Sequence, residues 1–224
     1  MELIDALRTT GAVREFTDQA VDDGVLARVL DNARFAPSGS NAQAWRVVVV
    51  KDTAKRRQLR DSYLRGNRDY LALAAAGLRP WSPTSDRDAE ARALAAERTA
   101  VPGDFAERFD ETPVLLALFA DLSMLAAIDR DADRYTFAGG ASVYPFAWNI
   151  LLSARNEGLG GVITTIAIRE EPQVKAVLGA ADPLALAAII ALGYPVKQPR
   201  RLRREPVSSF VTVDSIGGPV FGAP

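Results

Sequence analysis

The segment Ala36-Pro37-Ser38-Gly39-Ser40-Asn41-Ala42-Gln43-Ala44-Trp45 crowds amide and hydroxyl side chains between a helical pattern and a strand-like run. Asn41 and Gln43 each carry a carbonyl acceptor and an N–H donor. They can therefore match a heterocycle whose edge alternates those groups, as the pyrimidine edge of a flavin does. The same residues also make a plain Pro-Ser-Gly turn in which Asn41 caps local backbone. Two arginine clusters lie far apart: Arg14, within Arg8-Thr9-Thr10-Gly11-Ala12-Val13-Arg14-Glu15-Phe16, and Arg200-Arg201-Leu202-Arg203-Arg204. The planar guanidinium fork suits bidentate phosphate recognition, so two clusters converging on one point would bind a phosphate, while each taken singly reads as a solvated basic patch. Gly158-Leu159-Gly160-Gly161 looks like a phosphate-cradling run. Its order is helix, glycines, strand, whereas a dinucleotide turn needs strand, glycines, helix, so helix termination is the better reading.

Composition narrows the chemistry further. The 224 residues include no histidine and no cysteine. That rules out a Ser-His-Asp triad, a histidine base, thiolate nucleophiles, disulfides and the usual His- or Cys-ligated metal sites, and the reading is of no metal and no catalytic side chain. A bound cofactor is then the natural carrier of any reaction. Lys and Arg number 27 against 28 Asp and Glu, for a net charge of −1, so the molecule as a whole has no pull toward nucleic acid or anionic membrane. The C-terminal arginine run lacks interleaved aromatics, which also argues against nucleic acid. The longest apolar run, residues 184–192, is too short to span a bilayer, and the acidic start (Glu2, Asp5) is unlike a secretory signal, so a cytoplasmic protein is expected.

Elements that could position these residues follow from periodicity. Residues 3–7 predict a short helix stopping near Gly11. Leu26, Val29, Leu30 and Ala33 predict a second, capped by Asp22 or Asp23 and ended by Pro37 and Gly39. Thr53 plausibly caps a third helix, carrying Leu59 and Tyr63. Residues 45–50, 114–120, 162–168 and 184–192 read as strands without a polar face, so the sheet they form must be covered on both sides. The fold class expected is α+β: a three-layer α-β-α sandwich with a central mixed sheet in a single domain, 1–224. Residues 79–112 break that pattern with Pro80, Trp81 and Pro83 and an Ala- and charge-rich helix over 86–99, and read as a lid or insertion. The helix expected over 142–157 is apolar nearly all round, which places it at the centre of the fold or in a subunit interface.

Taken in order, these segments resemble the FMN-dependent nitroreductase family. Residues 9–16 resemble its N-terminal phosphate-binding motif. Residues 36–45 resemble its Ala-Pro-Ser-x-x-Asn-x-Gln-Pro-Trp loop, residues 139–165 its central dimer helix, glycine turn and flavin-contacting strand, and residues 203–207 the basic segment before its tail. Gly11 and Ala12 stand where family members often carry Arg and Ser, and Ala44 replaces the usual Pro. The resemblance implies a homodimer with FMN at the subunit interface. Arg14 and Arg204, helped by Arg203, would hold the phosphate. Pro37, Ser38, Gly39 and Asn41 of the partner would meet the isoalloxazine, with Gln43 supporting their loop. Tyr144 would lie beside the ring, and Ile163, Thr164 and Thr165 would offer backbone groups near its N5. It further implies ping-pong hydride transfer from NADH or NADPH to a nitroaromatic, quinone or similar small-molecule acceptor. The alternatives are dehydrogenation, dehalogenation or flavin breakdown on the same fold, or a flavin-binding dimer without turnover.

Overall fold

The computed structural model describes residues 1–96 and 103–222. Helix α1 (Leu3–Thr9) leads to α2 (Asp23–Ala33), which starts where the Asp22 carboxylate accepts the Gly24 N–H at 2.8 Å. This satisfies one of the donors that every helix start leaves free. Strand β1 (Trp45–Val49) follows, then the long α3 (Thr53–Ala75). The cap of α3 is Asp52, one residue before the Thr53 expected from sequence, and its carboxylate accepts the Lys55 N–H at 2.8 Å. The segment expected as a lid or insertion contains α4 (Arg87–Ala95), capped by Asp86, and the single turn α5 (Asp104–Glu107). Of the helix expected over 86–99, residues 97–99 lie outside the described residues. Strand β2 (Val114–Asp121), helix α6 (Tyr144–Asn156), strand β3 (Gly160–Thr164), helix α7 (Glu171–Leu178) and strand β4 (Leu184–Gly193) complete the regular elements.

The strands order β1-β2-β4-β3 and every strand pair is antiparallel. The parallel pairing met among the described residues is an isolated bridge between Ala12 and Gly161. Apolar runs report that both sheet faces are covered, and burial is indifferent to strand direction, so direction had to come from the fold itself. One face of β2 (Val114, Leu116, Leu118, Ala120) packs with α2 and α6 around Val29, Phe146, Ile150 and Ala154. The other (Leu115, Ala117, Phe119) packs with α3 and α7 around Leu59, Tyr63, Phe109 and Val174. An α+β fold of two helical layers about one sheet results.

Strand β3 differs from the run expected over 162–168. It starts earlier, at Gly160, and ends at Thr164, after which residues 166–170 wind into a 3-10 turn closed by Ile168 N–H to Thr165 O at 3.0 Å. The glycines divide their work. Gly158, at φ +81°, ends α6, whereas a Cβ on Gly160 would stand 2.8 Å from Val13 Cγ2 and one on Gly161 would stand 2.6 Å from Ala191 O. Close strand packing therefore demands the second and third glycines.

Helix α6 buries Phe146, Ala147, Ile150, Leu151 and Ala154 within the chain, but Pro145, Trp148, Asn149 and Leu152 remain half-buried along one stripe. Helix α1 lies against α6 and leaves Leu3, Ile4 and Leu7 exposed. Among the described residues no helix is long and apolar enough to cross a membrane.

Candidate functional site

The loop before β1 is held under local strain. Ser40, Asn41 and Gln43 all adopt positive φ (52°, 54° and 50°), a region in which non-glycine residues cost energy and which clusters at functional sites. Hydrogen bonds over-determine the conformation. Ser38 Oγ accepts the Gln43 N–H at 3.0 Å, buried Ser142 Oγ accepts the Gly39 N–H at 2.9 Å, and Gln43 Nε2 donates to Asn41 Oδ1 at 3.3 Å. A Cβ on Gly39 would stand 3.1 Å from Ala126 Cβ, so any larger residue would press this turn against that methyl group. Trp45 stacks on Phe146 with centroids 4.7 Å apart and planes 7° off parallel, fixing the loop's exit onto α6. Pro37, Gly39, Ser40, Asn41 and Gln43 are exposed in the chain.

Tyr144 opens α6 next to that anchor. Its hydroxyl donates to Ala187 O at 3.2 Å. Ala187 is the extra residue of a β-bulge, where Leu118 pairs with Ala188 and Phe119 with Leu186. Burial pushes the Tyr144 phenol above its ordinary value, and neighbouring Tyr135 adds to the shift.

The second group gathers at the opposite edge of the sheet. Val13 N–H donates to Gly161 O at 2.9 Å, laying residues 12–14 along β3. Arg14 is exposed, forms no ion pair among the described residues, and borders a cavity of about 400 Å3 shared with Phe16, Phe105 and Arg108. Ile163 sends its side chain to the α6 face. Thr164 is buried, with Tyr63 of α3 near enough for its hydroxyl to act on the phenol, and Thr165 is exposed. Burial raises the Tyr63 phenol, with the Thr164 hydroxyl and the charge of Arg14 pulling the other way.

The C-terminal basic segment reaches the same neighbourhood by its backbone. Gln198 Nε2 donates to Thr9 O at 3.5 Å, and Leu202 sits where a Gly11 side chain would be, 2.7 Å from its ideal Cβ. The glycine at a position where family members often carry Arg thus accompanies a packed leucine. Beside Gly11, the buried Thr10 hydroxyl has no hydrogen-bond partner. Arg203 and Arg204 are exposed without ion pairs among the described residues, and Arg204 donates to Arg203 O at 2.7 Å.

The residues expected to share a cradle therefore fall into two groups within one chain. Pro37, Ser38, Gly39, Asn41, Gln43 and Tyr144 cluster around the start of β1 and α6; Arg14, Ile163, Thr164 and Thr165 cluster along β3, with the chain leading to Arg203 and Arg204 close by. Strands β2 and β4 stand between the edges, about 14 Å at a spacing of about 4.8 Å per strand. Sequence reasoning placed Tyr63 only as an apolar helix position and did not single out Gly66. Nothing local marks either one, because their contacts lie about a hundred residues downstream.

The α+β sheet, covered on both faces, thus carries a strained amide loop near one edge and, near the other, exposed arginines without ion pairs among the described residues. The family model for the nitroreductase family matches residues 7–194, and the chain belongs to that family. It is 28% identical over 200 residues to an NADH dehydrogenase of Thermus thermophilus, covering 89% of this chain and 90% of that one. To a 5,6-dimethylbenzimidazole synthase of Rhodospirillum rubrum it is 29% identical over 189 residues, covering 82% and 77%. Its fold is similar to that of an iodotyrosine deiodinase bound to FMN and 3-iodo-L-tyrosine, with a TM-score of 0.67 at 23% identity and coverage of 96% and 100%. Relatives named as oxidoreductases include that NADH dehydrogenase and a putative NAD(P)H nitroreductase of Bacillus subtilis.

Proposed function

We propose that this protein is an FMN-dependent NAD(P)H oxidoreductase that reduces nitroaromatic, quinone or similar electron-poor acceptors, and that it works as a homodimer. The observation that carries the reading is the separation of the two half-sites on opposite sheet edges. A second copy, docked through the half-buried stripe of α6 (Pro145, Trp148, Asn149, Leu152) and the exposed Leu3, Ile4 and Leu7 of α1, would bring one chain's loop to the other's β3.

The residues present suit the ligand in kind. Arg14, Arg203 and Arg204, without ion pairs among the described residues, together with the Thr10 hydroxyl, offer cations and a donor to a phosphate. From the partner, the loop of Pro37, Ser38, Gly39 and Asn41 offers amide and hydroxyl groups to a heterocycle, while Gln43 braces Asn41. Ile163, Thr164 and Thr165 present backbone, and Tyr144, held by Ala187 O, walls the ring side. When bound, the flavin supplies hydride acceptance and donation, alternating between nicotinamide and acceptor. The chain contributes binding, orientation and electrostatics and assigns protons to solvent, in keeping with the absence of histidine and cysteine.

The similarity to a 5,6-dimethylbenzimidazole synthase and an iodotyrosine deiodinase favours, as a second reading, flavin breakdown or dehalogenation at the same site. Anaerobic stopped-flow mixing of the FMN-loaded protein with NADH and with NADPH separates the two. Bleaching of the flavin by either is the expected result, and a flavin that stays oxidised with both would count against the reductase.

A further inference from the structure

Residues 9–17 lie between β3 and the segment that follows β4. On one side Val13 N–H donates to Gly161 O at 2.9 Å; on the other, Thr17 N–H donates to Tyr194 O at 2.8 Å and Val196 N–H donates to Glu15 O at 3.1 Å, around an antiparallel bridge between Phe16 and Pro195. Beyond Val196 the contacts come from side chains. Gln198 Nε2 reaches Thr9 O at 3.5 Å, and an ideal Cβ on Gly11 would stand 2.7 Å from Leu202 Cδ2 and 3.3 Å from Pro199 Cγ. The gap that a side chain at 11 would fill is therefore taken by Leu202 and Pro199. Leu202 is the apolar residue of the run Arg200-Arg201-Leu202-Arg203-Arg204, and it is half-buried while the four arginines are exposed.

We propose that Leu202, seated against Gly11, is a positioning residue that holds the C-terminal basic run to the segment of Arg14, so that two arginine clusters distant in sequence act as one phosphate site. This rests on the flavin reading above and deepens it, because the leucine sets the preference for a phosphorylated flavin without touching the ligand. A guanidinium fork binds phosphate strongly when its backbone is already placed, whereas ordering a free segment at the moment of binding costs conformational entropy for each residue fixed. An apolar side chain in a glycine-sized gap supplies that placement and leaves every arginine free for the anion. An arginine at 11, where family members often carry one, and a leucine seated in the same space exclude each other. In this chain the cations then come from residues 203 and 204 instead.

Two measurements on the full-length protein test the proposal. In flavin-free protein, trypsin cleavage after Arg200, Arg201 and Arg203, read by mass spectrometry, should run about ten-fold faster in Leu202→Ala than in the parent, as the loss of a half-buried leucine contact predicts. In binding titrations the same variant should hold FMN about ten-fold more weakly and riboflavin, the same flavin without its phosphate, as well as the parent does. Leu202→Met, which keeps the volume, should match the parent in both. Gly11→Ala, which sets a methyl group 2.7 Å from Leu202 Cδ2, should lower FMN affinity by itself and lower it no further in the Leu202→Ala background, since both changes undo one contact. An unchanged cleavage rate, an unchanged FMN affinity, or equal losses for FMN and riboflavin in Leu202→Ala overturns the proposal. Parent protein that binds neither flavin defeats the flavin reading and the phosphate role with it, and the cleavage rates still decide whether Leu202 holds the basic run.

Discussion

Arg204 and Arg14 stand exposed with no carboxylate paired to either among the described residues, whereas Arg28 of α2 and Arg60 and Arg65 of α3 have each found an acid. A guanidinium without a carboxylate partner is free to receive an anion. Arg204→Ala should weaken FMN binding at least ten-fold, as the loss of a charge-assisted contact of about 1.5–3 kcal/mol predicts, while the melting temperature stays nearly unchanged. Titrating the apoprotein with FMN checks this, and undiminished affinity would remove Arg204 from the phosphate site. Asp129 is a residue of a different kind. Its buried carboxylate accepts the Phe137 N–H at 2.9 Å, the Ala138 N–H at 3.2 Å and Arg134 Nη1 at 2.9 Å. The backbone bond from Phe137, ahead of the others, holds it below the ordinary carboxylate range. A depressed carboxylate stabilises the folded form at neutral pH, and that contribution is lost as pH falls below about 4 and the group protonates. The loop over 122–138, which packs on Gly39, should loosen in that window. Asp129→Asn should loosen it already at pH 7 and flatten the acid dependence, as read by proteolysis of the loop at pH 7 and at about pH 3, below the ordinary carboxylate value.

Among the elements, the junction of α3 with the sheet shows what one side chain does for several segments. Arg56 donates to Val50 O at 2.9 Å, to Asp110 O at 2.8 Å and to Thr112 O, joining the end of β1 to the turn that starts β2. Its half-buried guanidinium pays for part of these bonds in desolvation, which lowers its pKa. Arg56→Met keeps the stem but strands three carbonyls, and should destabilise the fold by about 2–4 kcal/mol, measured by urea unfolding. A loss below about 1 kcal/mol would mean that water takes over those carbonyls. Element identity was readable here to a large extent. The Asp22 cap, the helical spacing through Ala33, the start of β1 at Trp45 and the strand over 114–120 all follow from side chains that act on near neighbours. The 3-10 turn after Thr164 was not readable, because Ile166 and Ile168 are good strand formers and the turn is imposed from outside, where α3 comes against Ile166 O at Gly66.

At the level of the whole molecule, the two half-sites make assembly the central question. If the cradle forms between copies, Trp148→Glu and Leu152→Arg, which place charge in the half-buried stripe of α6, should each convert a dimer into a monomer and lose flavin in the same step. Light scattering coupled to gel filtration with absorbance in the flavin bands reads both at once. A monomer that retains its flavin would refute the shared site.

The residues that could meet a flavin were legible in the primary structure because their chemical types are local: an amide loop, arginines and a glycine turn need no partner to be noticed. So was the two-sided burial of the sheet, since strands with no polar face admit no other arrangement. Strand order and direction, the antiparallel pairing throughout, Leu202 filling the space beside Gly11, and the approaches of Tyr63 to Thr164 and of Gly66 to Ile166 came only with the tertiary structure. They join segments about a hundred or more residues apart, and such pairings are chosen by the packing of the entire chain rather than by any stretch of it.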